Sequence, residues 1–205
     1  TTTTATMPVQ KTGGILKYAT GSSSTVFGYP PLIAYSGYSD SNPALESLFN
    51  FDGQGRLIPR LAEGYEVSPD LKSITINLRE GVKFHDGTDC DAEAIKWNME
   101  QFAVKEVARL GVVDTINVVD KYTLKLNLKS FSNSLFYDLV MVTIISPSAF
   151  EKNGEEWCYT NPIGTGAYKF VSFERNVLLK YERFDDYWQK DKPYLDGIDI
   201  QFIAD

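Results

Sequence analysis

The alternation of apolar and polar side chains over residues 122–129 constrains the fold of this chain more than any other feature. Positions 122, 124, 126 and 128 are apolar, and the positions between them are polar. A two-residue period of this kind predicts a β-strand that buries one face. Residues 73–78 show the same period. Further strands are predicted at 14–20, 167–173, 177–181 and 198–203.

Helical signals lie between these strands. Asp91 is a favourable N-cap residue, and Ile95, Met99 and Phe102 after it recur at the spacing of one helix face. Other helices are predicted from Asn42-Pro43 to Phe49, within 130–139 and from Pro147. Because strands in hairpin-like pairs are interrupted irregularly by helices, the order predicts a mixed α/β (α+β) fold.

Composition argues against two classes of partner. The net charge is −7 and the basic residues are scattered, so the chain lacks the basic stripe that nucleic acid requires. The longest apolar run, residues 139–145, is far shorter than the ~20 residues of a membrane span and predicts a buried strand instead. The threonine-rich start, residues 1–6, suggests either a tether left after removal of an export signal or a remnant of cloning.

The sequence offers few residues that could support catalysis or bind a metal. The single histidine, His85, precedes a turn, where a hydrogen-bonded structural role is the main expectation. Together with Cys90 and Cys158 it cannot supply the four ligands of a structural zinc site. Two free thiols are the favoured interpretation of the cysteines, with a disulfide left open. We therefore expect no catalytic residue, no metal and no cofactor.

Two short motifs that superficially suggest ligand sites favour structural roles. Asp86, Asp89 and Asp91 have the wrong spacing for a calcium loop and fit a turn followed by a helix cap. Gly164-Thr165-Gly166 is not followed by the Lys-Ser/Thr of a phosphate loop. A glycine pair that lets two backbones approach or turn explains it better.

Several longer motifs follow one another in an order typical of a known family. They are PRLAEGY (59–65), LREGVKFHDG (78–87), DAEA (91–94), NPIGTGAYKF (161–170) and KPYLDGI (192–198), with Tyr187-Trp188 before the last. Together they resemble the family 5 solute-binding proteins, the group of oligopeptide-, dipeptide- and nickel-binding periplasmic proteins. Departures are Tyr65 for the usual Trp, Ala167 for Pro and Asp91 for Thr.

The resemblance implies a periplasmic-binding-protein-like class II lobe with an extra sub-domain, taken from a two-lobed ligand trap that serves an ABC importer. Residues 14–58 and 160–205 would form the main sub-domain, residues 59–159 the extra one, and residues 1–13 a flexible tether. The second lobe would be missing. The implied partners are a peptide or other small ligand and the membrane permease, with the protein a monomer in the periplasm or a cell-surface lipoprotein.

Candidate ligand-binding residues lie at the junctions of strands and loops that would face the cleft. The loop after the first strand offers Thr20, Gly21, Ser22 and Ser23, and the irregular stretch that follows offers Tyr29 and Tyr38. The run 140–143 contributes Met141 and Thr143, and it lacks the arginines expected there in nickel-type relatives. The tyrosines could instead be core residues, and the serines solvated loop.

Two other functions compete with transport. A stand-alone sensing or interaction module derived from the same lobe would fit a chain that ends directly after a strand. A hydrolase ranks last, because no serine, cysteine or carboxylate lies in a pattern typical of a catalytic group.

Overall fold

The computed structural model describes residues 12–105 and 108–203. In chain order the strands and α-helices are β1 (Ile15–Thr20), α1 (Tyr38–Ser41), β2 (Glu46–Ser47), β3 (Phe49–Phe51), β4 (Leu57–Pro59), β5 (Ala62–Val67), β6 (Ser73–Leu78), α2 (Ala92–Val104), β7 (Val113–Asp120), β8 (Thr123–Leu128), α3 (Ser134–Met141), β9 (Thr143–Ile144), α4 (Pro147–Asn153), α5 (Glu155–Cys158), β10 (Tyr168–Glu174), β11 (Leu178–Arg183) and β12 (Gly197–Phe202). Among these residues no helix is both long and apolar enough to cross a membrane.

The first four-stranded sheet has the order β1-β12-β11-β10. Its hairpin, β10–β11, continues antiparallel into β12, and β12 pairs parallel with β1 from the other end of the chain. A parallel pair needs a long connection between its strands. Here that connection contains the rest of the fold. Leu179 and Ile200 of this sheet are fully buried together with Phe27 and Tyr29.

The second four-stranded sheet has the order β5-β6-β8-β7 and is antiparallel throughout. Its central strands bury Ile74, Ile76, Leu124 and Leu126 completely, as the alternating pattern predicted. Helix α2 covers them with its buried stripe, and the side chain of Asp91 accepts the N-cap hydrogen bond from Ala94 N at 3.1 Å.

Two short ladders, β2–β9 and β3–β4, lie outside these sheets. The second sheet lies wholly within the proposed extra sub-domain, residues 59–159, but the hydrophobic clusters do not stop at its ends. Leu48 and Phe49 belong to the cluster under the second sheet, while Ile145 and Cys158 pack in the cluster under the first. The sub-domain boundaries therefore stay a prediction. Of the predicted tether, only Thr12 and Gly13 are described, and Gly13 N donates to Tyr194 O at 2.7 Å.

The helix predicted from Asn42-Pro43 to Phe49 is wrong. A short helix, α1, ends just before it, and the segment continues into β2 and β3. Its carbonyls accept hydrogen bonds from another segment and not from a following helical turn. Gly166 N donates to Ala44 O at 2.9 Å, and Tyr168 N donates to Pro43 O at 3.1 Å. The strand predicted at 139–145 is also mostly wrong, since α3 extends to Met141 and only Thr143–Ile144 is a strand.

The glycine pair of NPIGTGAYKF is required by a close backbone contact. A Cβ at Gly164 would lie 2.2 Å from Ala44 O, and one at Gly166 would lie 2.5 Å from Pro43 O. Neither distance is possible without moving backbone. The structural interpretation of this motif is confirmed.

We predict that Gly164→Ala destabilises the fold by about 3 kcal/mol, because its Cβ would collide with a carbonyl oxygen that is itself hydrogen-bonded. Urea unfolding monitored by tryptophan fluorescence measures the change. Gly53→Ala is the control, since nothing lies within 4 Å of a Cβ built there. Equal stabilities of the two variants would contradict the close contact.

Candidate ligand-binding site

A buried carboxylate, that of Glu46 in β2, lies at the centre of the candidate site. Its side chain is 2% exposed. Oε1 accepts hydrogen bonds from Arg60 Nη2 at 2.7 Å and Tyr187 OH at 2.8 Å. Oε2 accepts from Trp188 Nε1 at 2.8 Å and Thr165 Oγ1 at 3.1 Å. These bonds stabilise a charge that burial alone would strongly disfavour.

The donors to Glu46 come from separate parts of the sequence. Arg60 follows β4, Thr165 is the centre of the glycine motif, and Tyr187-Trp188 lies between β11 and β12. Burial, and then the neighbouring charge of Glu46, raise the pKa of the Tyr187 phenol, so it stays a donor at neutral pH. The Glu46 network therefore joins three of the motifs that carried the family resemblance.

A cavity of about 560 Å³ lies beside this network, within the ~300–1,000 Å³ typical of small-molecule sites. Tyr38 from α1 and Met141 and Thr143 from the α3–β9 segment line it, together with Asn42 and Arg60. A second cavity of about 470 Å³ shares Arg60, Asn42 and Glu46 with the first. A third, of about 330 Å³, also contains Arg60 in its lining.

The wall that carries Thr143 is fixed from behind by helix α2. The Asn98 side chain is buried, and it both donates to Ile145 O at 2.8 Å and accepts from Ile145 N at 2.9 Å. On the other side β9 pairs with β2 in the register Ser47↔Thr143. The Tyr38 hydroxyl donates to Met141 O at 3.0 Å and links α1 to the same wall.

Three of the predicted site residues, Tyr38, Met141 and Thr143, thus lie together in one cavity. Tyr29 does not, and its prediction as a ligand residue is wrong. It is 0% exposed, packs against Phe150 and Tyr159, and donates to Gln101 Oε1 at 3.0 Å. A side chain without exposed surface is a core residue.

The loop after β1 lies elsewhere. Thr20, Gly21, Ser22 and Ser23 line none of the three cavities. The Ser23 hydroxyl bonds to Asn176 at the β10–β11 turn, through Oδ1 at 3.0 Å and the backbone N at 3.1 Å. This bond gives the loop a structural function. A ligand role for these four residues stays a prediction.

Sequence reasoning missed Glu46 and Arg60. Arg60 belongs to a motif that it identified, but nothing local distinguishes this arginine from a surface one. The run 140–143 contains no arginine, yet the fold brings Arg60 to the same cavity from the end of β4. The pairing of β2 with β9 brings Glu46 beside the run 140–143, and the hydrogen bond from Arg60 N to Leu48 O, at 3.0 Å, brings Arg60 to the end of β2.

The other ionisable groups singled out in the sequence have structural environments. Cys90 and Cys158 are free and buried, and burial raises both thiol pKa values, that of Cys158 to about 11. His85 Nε2 donates to Gly166 O at 2.8 Å, and desolvation lowers its pKa to about 4. Within residues 12–105 and 108–203, no group of three or more acidic, His or Cys side chains is placed to hold a metal.

The aspartates after His85 form the predicted turn and helix cap. Asp86 Oδ1 accepts from Thr88 N at 3.1 Å, and its Oδ2 accepts from Ser146 Oγ at 2.5 Å. Asp89 pairs with Lys83 and with Lys121 at the surface. The structural interpretation of the three acids is confirmed.

Comparison with solved structures defines the class of fold. The chain matches DppA, an ABC transporter-associated periplasmic binding protein from Helicobacter pylori in complex with the peptide STSA, with a TM-score of 0.84 and 22% identity over 95% of this chain and 44% of that one. It matches the binding protein AgaA from A. tumefaciens R10, in complex with agropinic acid, with a TM-score of 0.81 and 31% identity over 92% of this chain and 40% of AgaA. The fold is that of part of a periplasmic binding protein.

The family follows from the sequence itself. Residues 56–205 match the model for bacterial extracellular solute-binding proteins, family 5 (Middle), and the chain belongs to that family. The glutathione-binding protein GsiB of Pectobacterium atrosepticum is 34% identical over 169 residues, 78% of this chain and 32% of the relative. GsiB of Escherichia coli O1:K1 is 36% identical over 171 residues, with the same shares. The chain thus spans about a third of the length of these curated relatives.

Glu46→Gln is predicted to cost about 3 kcal/mol of unfolding free energy. Each carboxylate oxygen accepts two hydrogen bonds, so the amide nitrogen would face two donors in either orientation. Urea unfolding measures the loss, and exposed Glu66→Gln is the matched control, with a change within ~0.5 kcal/mol. A Glu46→Gln variant as stable as the control would show that the network contributes little.

We also predict that His85 makes stability pH-dependent. Unfolded, it takes up a proton below pH 6.5, whereas folded it stays neutral down to about pH 4. Its contribution is therefore complete above pH 6.5 and is lost as the pH falls towards 4. Between pH 7.5 and 4.5 the parent chain should lose roughly 2 kcal/mol more than His85→Gln in urea unfolding. Parallel losses in the two proteins would rule out this contribution.

Proposed function

We propose that this chain is the ligand-binding lobe of the substrate-binding component of an ABC importer, and that the complete protein captures a peptide or similar small solute. The observation that carries the proposal is the cavity beside Glu46, where Tyr38 lies together with Met141 and Thr143 from the run 140–143. Its polar side chains provide hydrogen-bonding groups, while Met141, Val140 and Leu45 provide apolar contact.

The curated relatives support a small peptide-like solute. Those with 34–36% identity are named as glutathione-binding, and glutathione is a tripeptide. Because the chain spans only a third of them, we expect residues outside this chain to share in the ligand contacts of the complete protein. Closure of two lobes around a ligand is a recurrent arrangement for binding of this kind.

Binding rather than catalysis is part of the proposal. His85, the single histidine, donates to a backbone carbonyl and has its pKa lowered, and both buried thiols have raised pKa values. These groups are unsuited to general-base or nucleophilic chemistry at neutral pH. We further propose an extracytoplasmic, monomeric protein, in the periplasm or anchored as a lipoprotein, that delivers its ligand to the membrane permease.

Isothermal titration of the complete protein tests this function. The panel is glutathione, Ala-Ala-Ala, a nickel–histidine chelate and maltotriose. Saturable binding of a peptide-like member supports the proposal, and binding of the chelate or the saccharide alone would replace the proposed ligand class. Absence of binding across the panel would count against a transport receptor of this type.

Thr143→Val is predicted to stabilise the fold by about 1 kcal/mol and to change ligand binding little. Thr143 is 5% exposed and lines the cavity, but its hydroxyl oxygen is itself buried and has no hydrogen-bond partner within the described part of the chain. Replacing the hydroxyl with a methyl group removes the desolvation cost of this unpaired oxygen. The oxygen has no surface that a ligand can reach, so the Kd should stay the same.

The measurement combines titration with thermal unfolding of the ligand-free protein. Thr75→Val in β6 is the matched control, since Thr75 is half-buried but lines none of the three cavities. A loss of stability in Thr143→Val, or a weaker Kd, would show that this hydroxyl forms a hydrogen bond in the protein or with the ligand.

A further inference from the structure

The three adjoining cavities do not share the acidic balance of the whole chain. The chain has a net charge of −7. Among the described residues, Glu46 and Arg60 are the charged side chains that line the first two cavities, and Arg60 and Lys192 are those of the third. A cation at a cavity of an acidic protein is a site that favours anionic ligand groups.

Glu46 offsets part of the charge of Arg60, but it cannot itself receive a ligand group, because its oxygens are already occupied. Each accepts two hydrogen bonds from protein donors, and the side chain is 2% exposed. A ligand cation would need an acceptor oxygen with free capacity, and this carboxylate has none to offer.

Arg60 differs from Glu46 in this respect. Its side chain is 35% exposed and uses Nη2 for Glu46. Among the described residues, no acceptor bonds to its Nε or Nη1. The guanidinium is planar with five N–H donors, so one edge can hold Glu46 while another receives a ligand carboxylate. Glu46 thereby fixes the orientation of the group that meets the ligand.

We infer that Arg60 is the specificity-determining residue of this lobe and selects ligands that present a carboxylate to it. The inference rests on the proposed function and adds the chemical class of the ligand group recognised. Position supports it, because Arg60 is the one residue that the linings of all three cavities share.

The test uses the complete protein and two ligand pairs, each an acid and a derivative in which the carboxylate is neutralised. They are Ala-Ala-Ala with its C-terminal amide, and glutathione with its diethyl ester. Titration gives the ratio of Kd for the neutral ligand to Kd for the acid. The ratio should be roughly tenfold or more in the parent protein and close to one in Arg60→Gln, as expected for a charge-assisted hydrogen bond.

Two further variants separate ligand recognition from structure and from long-range charge. Arg60→Lys keeps the positive charge beside Glu46 but loses the planar fork, so it should retain a reduced preference for the acid. This variant also tests the inference if Arg60→Gln does not fold. Arg175→Gln removes one positive charge from an exposed turn outside the three cavities and should keep the parent ratio. Stability changes alone do not alter this ratio, since both ligands meet the same folded protein.

The outcomes are distinct for the two proposals. A ratio near one in the parent protein, or a parent-like ratio in both Arg60 variants, overturns the role of Arg60 and leaves the transport function standing. Failure of all four ligands to bind overturns the peptide-binding function and this inference with it.

Discussion

The structure around the candidate site depends on one buried carboxylate. Removing an ion such as that of Glu46 from water costs several kcal/mol, and only a full set of hydrogen bonds offsets this cost. The donors are contributed by three separate segments. The segment after β4, the segment before β10 and the β11–β12 connection must therefore converge on β2. This requirement is much more selective than hydrophobic packing, which tolerates many arrangements of similar volume.

The backbone contact at Gly164 and Gly166 acts on the same region. These glycines lie against the carbonyls of Pro43 and Ala44, which precede Glu46 by three and two residues. His85 donates a hydrogen bond to the carbonyl of each glycine, from its backbone N to Gly164 and from its ring to Gly166. The stretch 43–46 is therefore fixed by two sets of contacts. The glycines pack against its carbonyls, and the donors bind the Glu46 carboxylate. The cavity wall is consequently set before any ligand arrives, which lowers the ordering cost of binding.

All four strands of the first sheet and the two central strands of the second could be predicted from sequence, but the edge strands of the second could not. Strands β6 and β8 are paired on both sides and bury one face, so their alternating pattern is strong. Strands β5 and β7 are the edges of the same sheet and are largely exposed, so their side chains need no clear period. Neither edge strand was predicted. The helix predicted after Asn42 failed for a related reason, because its favourable local start was overridden by tertiary hydrogen bonds.

The candidate site shows the same limit at the level of single residues. Tyr38, Met141 and Thr143 could be found because loops and strand ends commonly line clefts. The same rule selected Tyr29, and only the aromatic packing around it reveals a core residue. Glu46 and Arg60 gave no local signal, since an acid and an arginine 14 residues apart are ordinary in any surface hairpin. Their roles follow from the burial of Glu46 and the partial exposure of Arg60. A pair that is unequal in this way both stabilises the fold and leaves a single oriented charge in the cavity, so structure and specificity share the same ion pair.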